Sequence, residues 1–107
     1  MSTNQTSPIR GPFYPAEKRW ARISIPDQLE DGAQISSVVW SPESPLTLIG
    51  GSSTIYTRSK TNDSVKARFD LLNAIAGTRY TITATITTSE GEEIKESVIF
   101  QVKALPT

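Results

Sequence analysis

LNAIAGTRYTITATITT, residues 72–88, decides how the rest of the chain is read. From Tyr80 onward, Tyr80, Ile82, Ala84 and Ile86 fall on one side of an extended backbone, and Thr81, Thr83, Thr85 and Thr87 on the other. Successive side chains of a strand point to opposite faces, so this alternation, with β-branched residues on both sides, predicts a half-buried β-strand. Ahead of it, Ala76-Gly77-Thr78 predicts a turn, with glycine where a positive φ is tolerated. A leucine, a short loop, Gly-Thr-x-Tyr and a long alternating strand together predict a tyrosine corner, in which the phenol bonds back to backbone just upstream.

Working outward, Ser89-Glu90-Gly91 predicts a hairpin turn. The strand after it, Glu93 to Lys103, sets Ile94, Val98, Phe100 and Val102 against Lys95, Ser97, Ile99, Gln101 and Lys103. Glu96 falls on the apolar face, near enough to the hairpin to reach water. Upstream, Ser64 to Leu72 sets Val65, Ala67, Phe69 and Leu71 against Lys66, Arg68 and Asp70, which gives one dry and one wet face. Two short strands are expected at Leu46–Ile49 and Thr54–Arg58, the second with Ile55 or Tyr56 inward. They lie among the turn SPESP, the loop GGSS and the polar turn SKTNDS. Gln34 to Trp40 reads as a strand with Ser36, Val38 and Trp40 on one face and Ile35 and Val39 on the other; Trp40 is the expected core plug. Lys18 to Ile25 sets Ala21, Ile23 and Ile25 against Trp20, Arg22 and Ser24. Pro26 ends that strand, and an acidic connection runs from Asp27 to the Asp31-Gly32 turn. Strands at this spacing without a helical period predict an all-β protein, an immunoglobulin-like antiparallel β-sandwich of about seven strands over residues 18–105.

Residues 1–17 are expected to form an extended N-terminal arm. Pro8, Pro12 and Pro15 fix φ and remove amide donors, which predicts polyproline-like backbone rather than regular sheet. Ile9, Phe13 and Tyr14 are interleaved with them. Two readings follow: the aromatics lie over the domain's own open end, or the arm docks on a neighbouring subunit.

Composition excludes more than it selects. The 107 residues carry 11 basic and 11 acidic side chains, with no histidine and no cysteine. A neutral chain has no basic excess for nucleic acid or an anionic membrane. Without His or Cys it lacks the commonest general base, the usual zinc ligands and a thiol nucleophile, so neither enzyme activity nor a cofactor is expected. No apolar run approaches the roughly 20 residues of a membrane-spanning helix, and the polar MSTNQTSPIR has no signal-peptide core; both fit a protein made in the cytoplasm. Glu90, Glu92, Glu93 and Glu96 lack the ligand spacing of a calcium loop and read as a solvated hairpin tip. Arg58, Lys60, Lys66 and Arg68, with Arg79 nearby, form a solvated face, pair with that hairpin, or meet a carboxylate-rich partner. The threonine row is flat and uncharged, as suits either a solvated face or a packing surface. The candidate partner-binding residues are Ile9, Phe13, Tyr14, Arg58, Lys66 and Arg68.

Two segments together resemble a known family: PAEKRWARISIPDQLEDGAQISSVVW, residues 15–40, and AGTRYTITATITTSEGEEIKESVIFQV, residues 76–102. They are similar to small structural proteins encoded by tailed bacteriophages. Lys18, Arg19 and Arg22 depart from the more acidic and apolar first strand of that family, and residues 41–71 carry no resemblance. The resemblance implies a multi-copy virion component without enzymatic activity, whose partners are the major capsid protein or other virion proteins. The first expectation is a capsid cement or decoration protein that binds the head shell through its arm and a sheet face. The alternative is a neck or tail adaptor or accessory protein. A host- or carbohydrate-binding module is the third reading, and it would rely on Tyr56 and Trp20 as exposed aromatics.

Overall fold

The computed structural model describes residues 7–59 and 61–105. Eight strands run in chain order: β1 (Ile9–Phe13), β2 (Lys18–Ser24), β3 (Ile35–Pro42), β4 (Thr47–Leu48), β5 (Thr54–Tyr56), β6 (Ser64–Asp70), β7 (Arg79–Thr88) and β8 (Glu93–Val102). They form two sheets, one ordered β1-β8-β7-β3 and the other β2-β6-β4, with β5 also on β6. A 3-10 turn at Pro26–Gln28 is the one helical element among the described residues. The all-β sandwich expected from the sequence is what forms.

Alternation places the core. Ala21, Ile23, Val65, Ala67 and Phe69 point inward from one sheet, and Tyr80, Ile82, Ala84, Ile86, Val98, Phe100 and Val102 from the other; all are buried. Each large aliphatic or aromatic side chain so buried contributes about 1.5–3 kcal/mol before conformational entropy is counted. Trp40 is the expected plug: it meets Phe69 edge-on at 5.5 Å, and its indole N–H donates to Ser53 Oγ at 3.0 Å.

The corner ahead of β7 is built as its sequence predicts. The Tyr80 hydroxyl accepts the Ile75 amide at 2.9 Å, and the Gly77 amide donates to the Val102 carbonyl at 2.8 Å. Gly77 takes φ of +88°, where a Cβ would be strained.

Three departures are instructive. First, Ile9–Phe13, where the prolines argued against regular sheet, is a strand. It runs parallel to β8, pairing Ile9 with Ile99 and Arg10 with Phe100, then Phe13 with Val102 after a register shift. The shift contains Pro12, and β1 is an edge strand, so the missing amide donor costs no ladder bond. Phe13 packs edge-on against Phe100 at 4.8 Å, so this aromatic of the arm lies on the chain's own body. Residues 1–6 of the expected arm lie outside the described residues. Second, β3 carries one extra residue between Ile35 and Ser37 relative to β7. This bulge puts Ile35 on the buried face with Trp40 and leaves Val39 outside at 63% exposure, separating two residues that strict alternation had paired. Third, β4 and β5 are shorter than expected. The Ser52 hydroxyl stands in for the ladder between them, accepting the Arg68 amide at 2.9 Å and donating to the Ile49 carbonyl at 2.6 Å.

Gly11 is the tightest backbone requirement in β1. Its φ is +123°, and a Cβ there would lie 2.7 Å from the Gln101 carbonyl oxygen and 2.9 Å from the Phe13 nitrogen. Gly11→Ala is therefore expected to loosen β1 and destabilise the fold by more than about 1 kcal/mol, measured as a fall in the urea midpoint. Tyr80→Phe leaves the Ile75 amide without its acceptor and is expected to cost about 1 kcal/mol or more in the same measurement; an unchanged midpoint would mean that the corner bond contributes nothing.

Candidate functional site: a basic and aromatic sheet face

With Ala21 and Ile23 of β2 turned inward, Lys18, Trp20, Arg22 and Ser24 must face out. On β6, inward Val65, Ala67 and Phe69 force Lys66, Arg68 and Asp70 outward. Antiparallel pairing then sets Trp20 opposite Arg68, Arg22 opposite Lys66 and Lys18 opposite Asp70. The result is an indole ringed by cations: Lys66 Nζ lies 5.1 Å from the Trp20 ring centroid, the Arg22 guanidinium 5.7 Å and the Arg68 guanidinium 5.8 Å. From β5, Tyr56 approaches Lys66 on its other side at 5.3 Å. Cation–π attraction offsets part of the repulsion, by about 0.5–1 kcal/mol per contact at an exposed site. Arg22 and Lys66 nonetheless stand directly opposite, an arrangement that works against the sheet. The buried Nε of Arg68 has no hydrogen-bond partner among the described residues.

This face continues over the β2 edge into an open groove of about 930 Å³, lined among others by Arg10, Phe13, Arg19, Trp20, Arg22, Tyr56 and Arg58, with Glu96 as its one carboxylate. Arg19 has a local role there. Its guanidinium forks onto Glu17 at 3.1 and 3.2 Å and lies 4.8 Å from the Phe13 ring centroid, tying β2 to β1. The Tyr14 amide and then Arg19 hold the Glu17 carboxyl below its ordinary pKa. That ion pair is the only one among the described residues, so Arg22, Arg58, Lys66 and Arg68 are matched by no carboxylate there.

Asp63 supports the turn ahead of β6. It is fully buried and accepts the Arg58 and Ser59 amides, each at 2.8 Å, and the Ser64 hydroxyl at 2.9 Å. The sequence showed only a polar turn; an Asp just before a strand, with two amides to gather, was the available signal.

The candidate residues do not form one patch. Lys66 and Arg68 lie together on the outer face of β6, and Arg58 lies along the groove. Phe13 is half-buried against Phe100, and Tyr14 is half-buried in the following turn, where its amide donates to Glu17. Ile9 is 44% exposed on the outer face of the other sheet, across from Ile99. Lys60 of the expected basic group is outside the described residues. Sequence reading missed Trp20 as the centre of the cluster and Arg22 as a member of it.

The second outer face is different in kind. Thr83 and Ser97 share a hydrogen bond at 3.2 Å at its centre, with Thr81, Thr85, Val39 and Ile99 around them and no charge among these six. Among the described residues no group of three His, Cys, Asp or Glu side chains is placed to hold a metal ion, and no helix is long and apolar enough to cross a membrane.

Residues 14–101 match the model of the family described as Podophage GP4 fiber-tail adaptor protein gp77. The match spans most of the chain and both sheets, and the protein belongs to this family of small bacteriophage virion structural proteins. No curated protein matches the chain.

Asp63→Ala strands two backbone amides in the interior and is expected to cost about 1–3 kcal/mol. A stability change within a few tenths of a kcal/mol by urea titration would show that water replaces the carboxylate freely.

Proposed function

We propose that the protein is a non-enzymatic fibre–tail adaptor, a small sandwich that joins a tail fibre to the tail of the virion. The observation that carries this reading is the family match over residues 14–101, whose description names that role. The geometry suits it. An adaptor must hold neighbours on more than one surface, and this chain presents a cationic, aromatic face on β2 and β6 and, on β7 and β8, a face whose centre is Ser/Thr and apolar. Arg58, Lys66 and Arg68 would serve the first contact, and Ile9, beside Ile99, the second.

This is the tail alternative of the two virion positions considered from the sequence. The capsid-cement reading leaned on an arm free to clamp neighbouring capsomers, and from Ile9 to Phe13 that arm is engaged by β8. The carbohydrate-binding reading needed open aromatic rings. Trp20 and Tyr56 are instead flanked by cations, which compete with a sugar for the ring faces.

Disrupted virions separated into heads and tails test the assignment. The protein is expected with the tail fraction, and particles assembled without it are expected to carry tails lacking fibres. Recovery with the heads would return the protein to the capsid shell.

A further inference from the structure

Six of the eleven carboxylates of this neutral chain lie in two segments at one end. Asp27, Glu30 and Asp31 in the β2–β3 connection and Glu90, Glu92 and Glu93 at the β7–β8 hairpin are all exposed. The two segments are joined: the Ser89 amide donates to the Gln34 carbonyl at 2.8 Å, the Gln34 amide to Ser89 Oγ at 3.1 Å, and Gln28 Nε2 to Glu96 Oε2 at 2.8 Å. One end of the sandwich thus carries six exposed carboxylates, none of them in an ion pair among the described residues. The outer face of β2 and β6 carries Arg22, Lys66 and Arg68 around Trp20, likewise without an ion pair there.

We infer that the basic face of β2 and β6 is a docking surface for the acidic end of a second copy of this chain. Complementarity of charge selects that occupant. Each copy bears both halves of the contact, fixed on one rigid sandwich at an end and on a face. Packing either patch against itself would oppose like charges, so each contact sets a face against an end. Made once between two copies, such a contact is head-to-tail and closes into rings or continues as filaments. The contact would give the Arg22–Lys66 opposition a carboxylate between its members. The inference is independent of whether the assembly sits at the tail or the head.

Light scattering on the eluting full-length protein, from low salt to about 0.5 M, tests it, since added salt shortens the reach of exposed charges. Expected are oligomers at low salt that fall to monomer as salt rises. A triple variant Arg22→Gln, Lys66→Gln, Arg68→Gln loses the face, and a triple variant Glu90→Gln, Glu92→Gln, Glu93→Gln weakens the end. Each is expected to be monomeric at low salt with its far-ultraviolet circular dichroism unchanged. Mixed in equal amounts, they are expected to form a heterodimer and nothing larger, because one intact face and one intact end remain. A wild type that stays monomeric at low salt overturns the inference, as does either folded variant assembling like the wild type. Should the basic-face variant not fold, the hairpin variant decides alone, its substitutions lying at an exposed tip: retained assembly overturns the inference and its loss upholds it.

Discussion

A line of aromatic rings ties the molecule together. Trp40 of β3 meets Phe69 of β6 at 5.5 Å, Phe69 meets Phe100 of β8 at 6.3 Å, and Phe100 meets Phe13 of β1 at 4.8 Å, all close to edge-on. Each such contact adds about 0.5–1.5 kcal/mol beyond the area it buries. The order matters more than the sum, because the line passes from one sheet to the other and back, and ends on the edge strand. Without cysteine, no disulfide closes this sandwich, so interdigitation of rings sets the spacing of its sheets. Everything outward-facing follows from that commitment. Once Phe69 and Ala67 are turned in, Lys66 and Arg68 have nowhere to go but out, and the same holds for Trp20 and Arg22 beside Ala21 and Ile23.

The sequence was legible where a strand's partner lies close by along the chain and alternation is unbroken. β6, β7 and β8 were readable in this way, and so was the Tyr80 corner, whose acceptor geometry is local. The bond to Ile75 spans five residues. What escaped reading depends on distant pairing. Ile9 meets Ile99 across nearly the whole chain, and no local feature announces a parallel partner; the prolines suggested the opposite. The β3 bulge is equally silent, because one inserted residue moves Ile35 to the face opposite Val39 without altering composition.

The candidate surface was half legible for the same reason. Lys66 and Arg68 stand out as alternating cations on an otherwise apolar strand, whereas Trp20 and Arg22 join them only through the register of β2 on β6. Net charge misleads at this point. A sum of zero describes equally a surface of mixed charges and one with its signs drawn apart, and only the fold distinguishes them. Here the two acidic segments meet because Gln34 and Ser89 bond across the end of the sandwich, 55 residues apart in sequence.

Stability alone would not place Arg22 across from Lys66. A sheet chosen only for folding would set opposite charges there, as it does with Lys18 and Asp70 two pairs along the same face. Trp20 reduces the cost of the opposed pair but does not remove it, since a ring quadrupole is weaker than a carboxylate at contact distance. Local opposition retained inside an otherwise consistent fold is what a recognition surface requires: the missing counter-charge has to arrive from a partner. The family is one of virion structural proteins, and in the contact we infer, the acidic end of a neighbouring copy would supply that counter-charge without any further component.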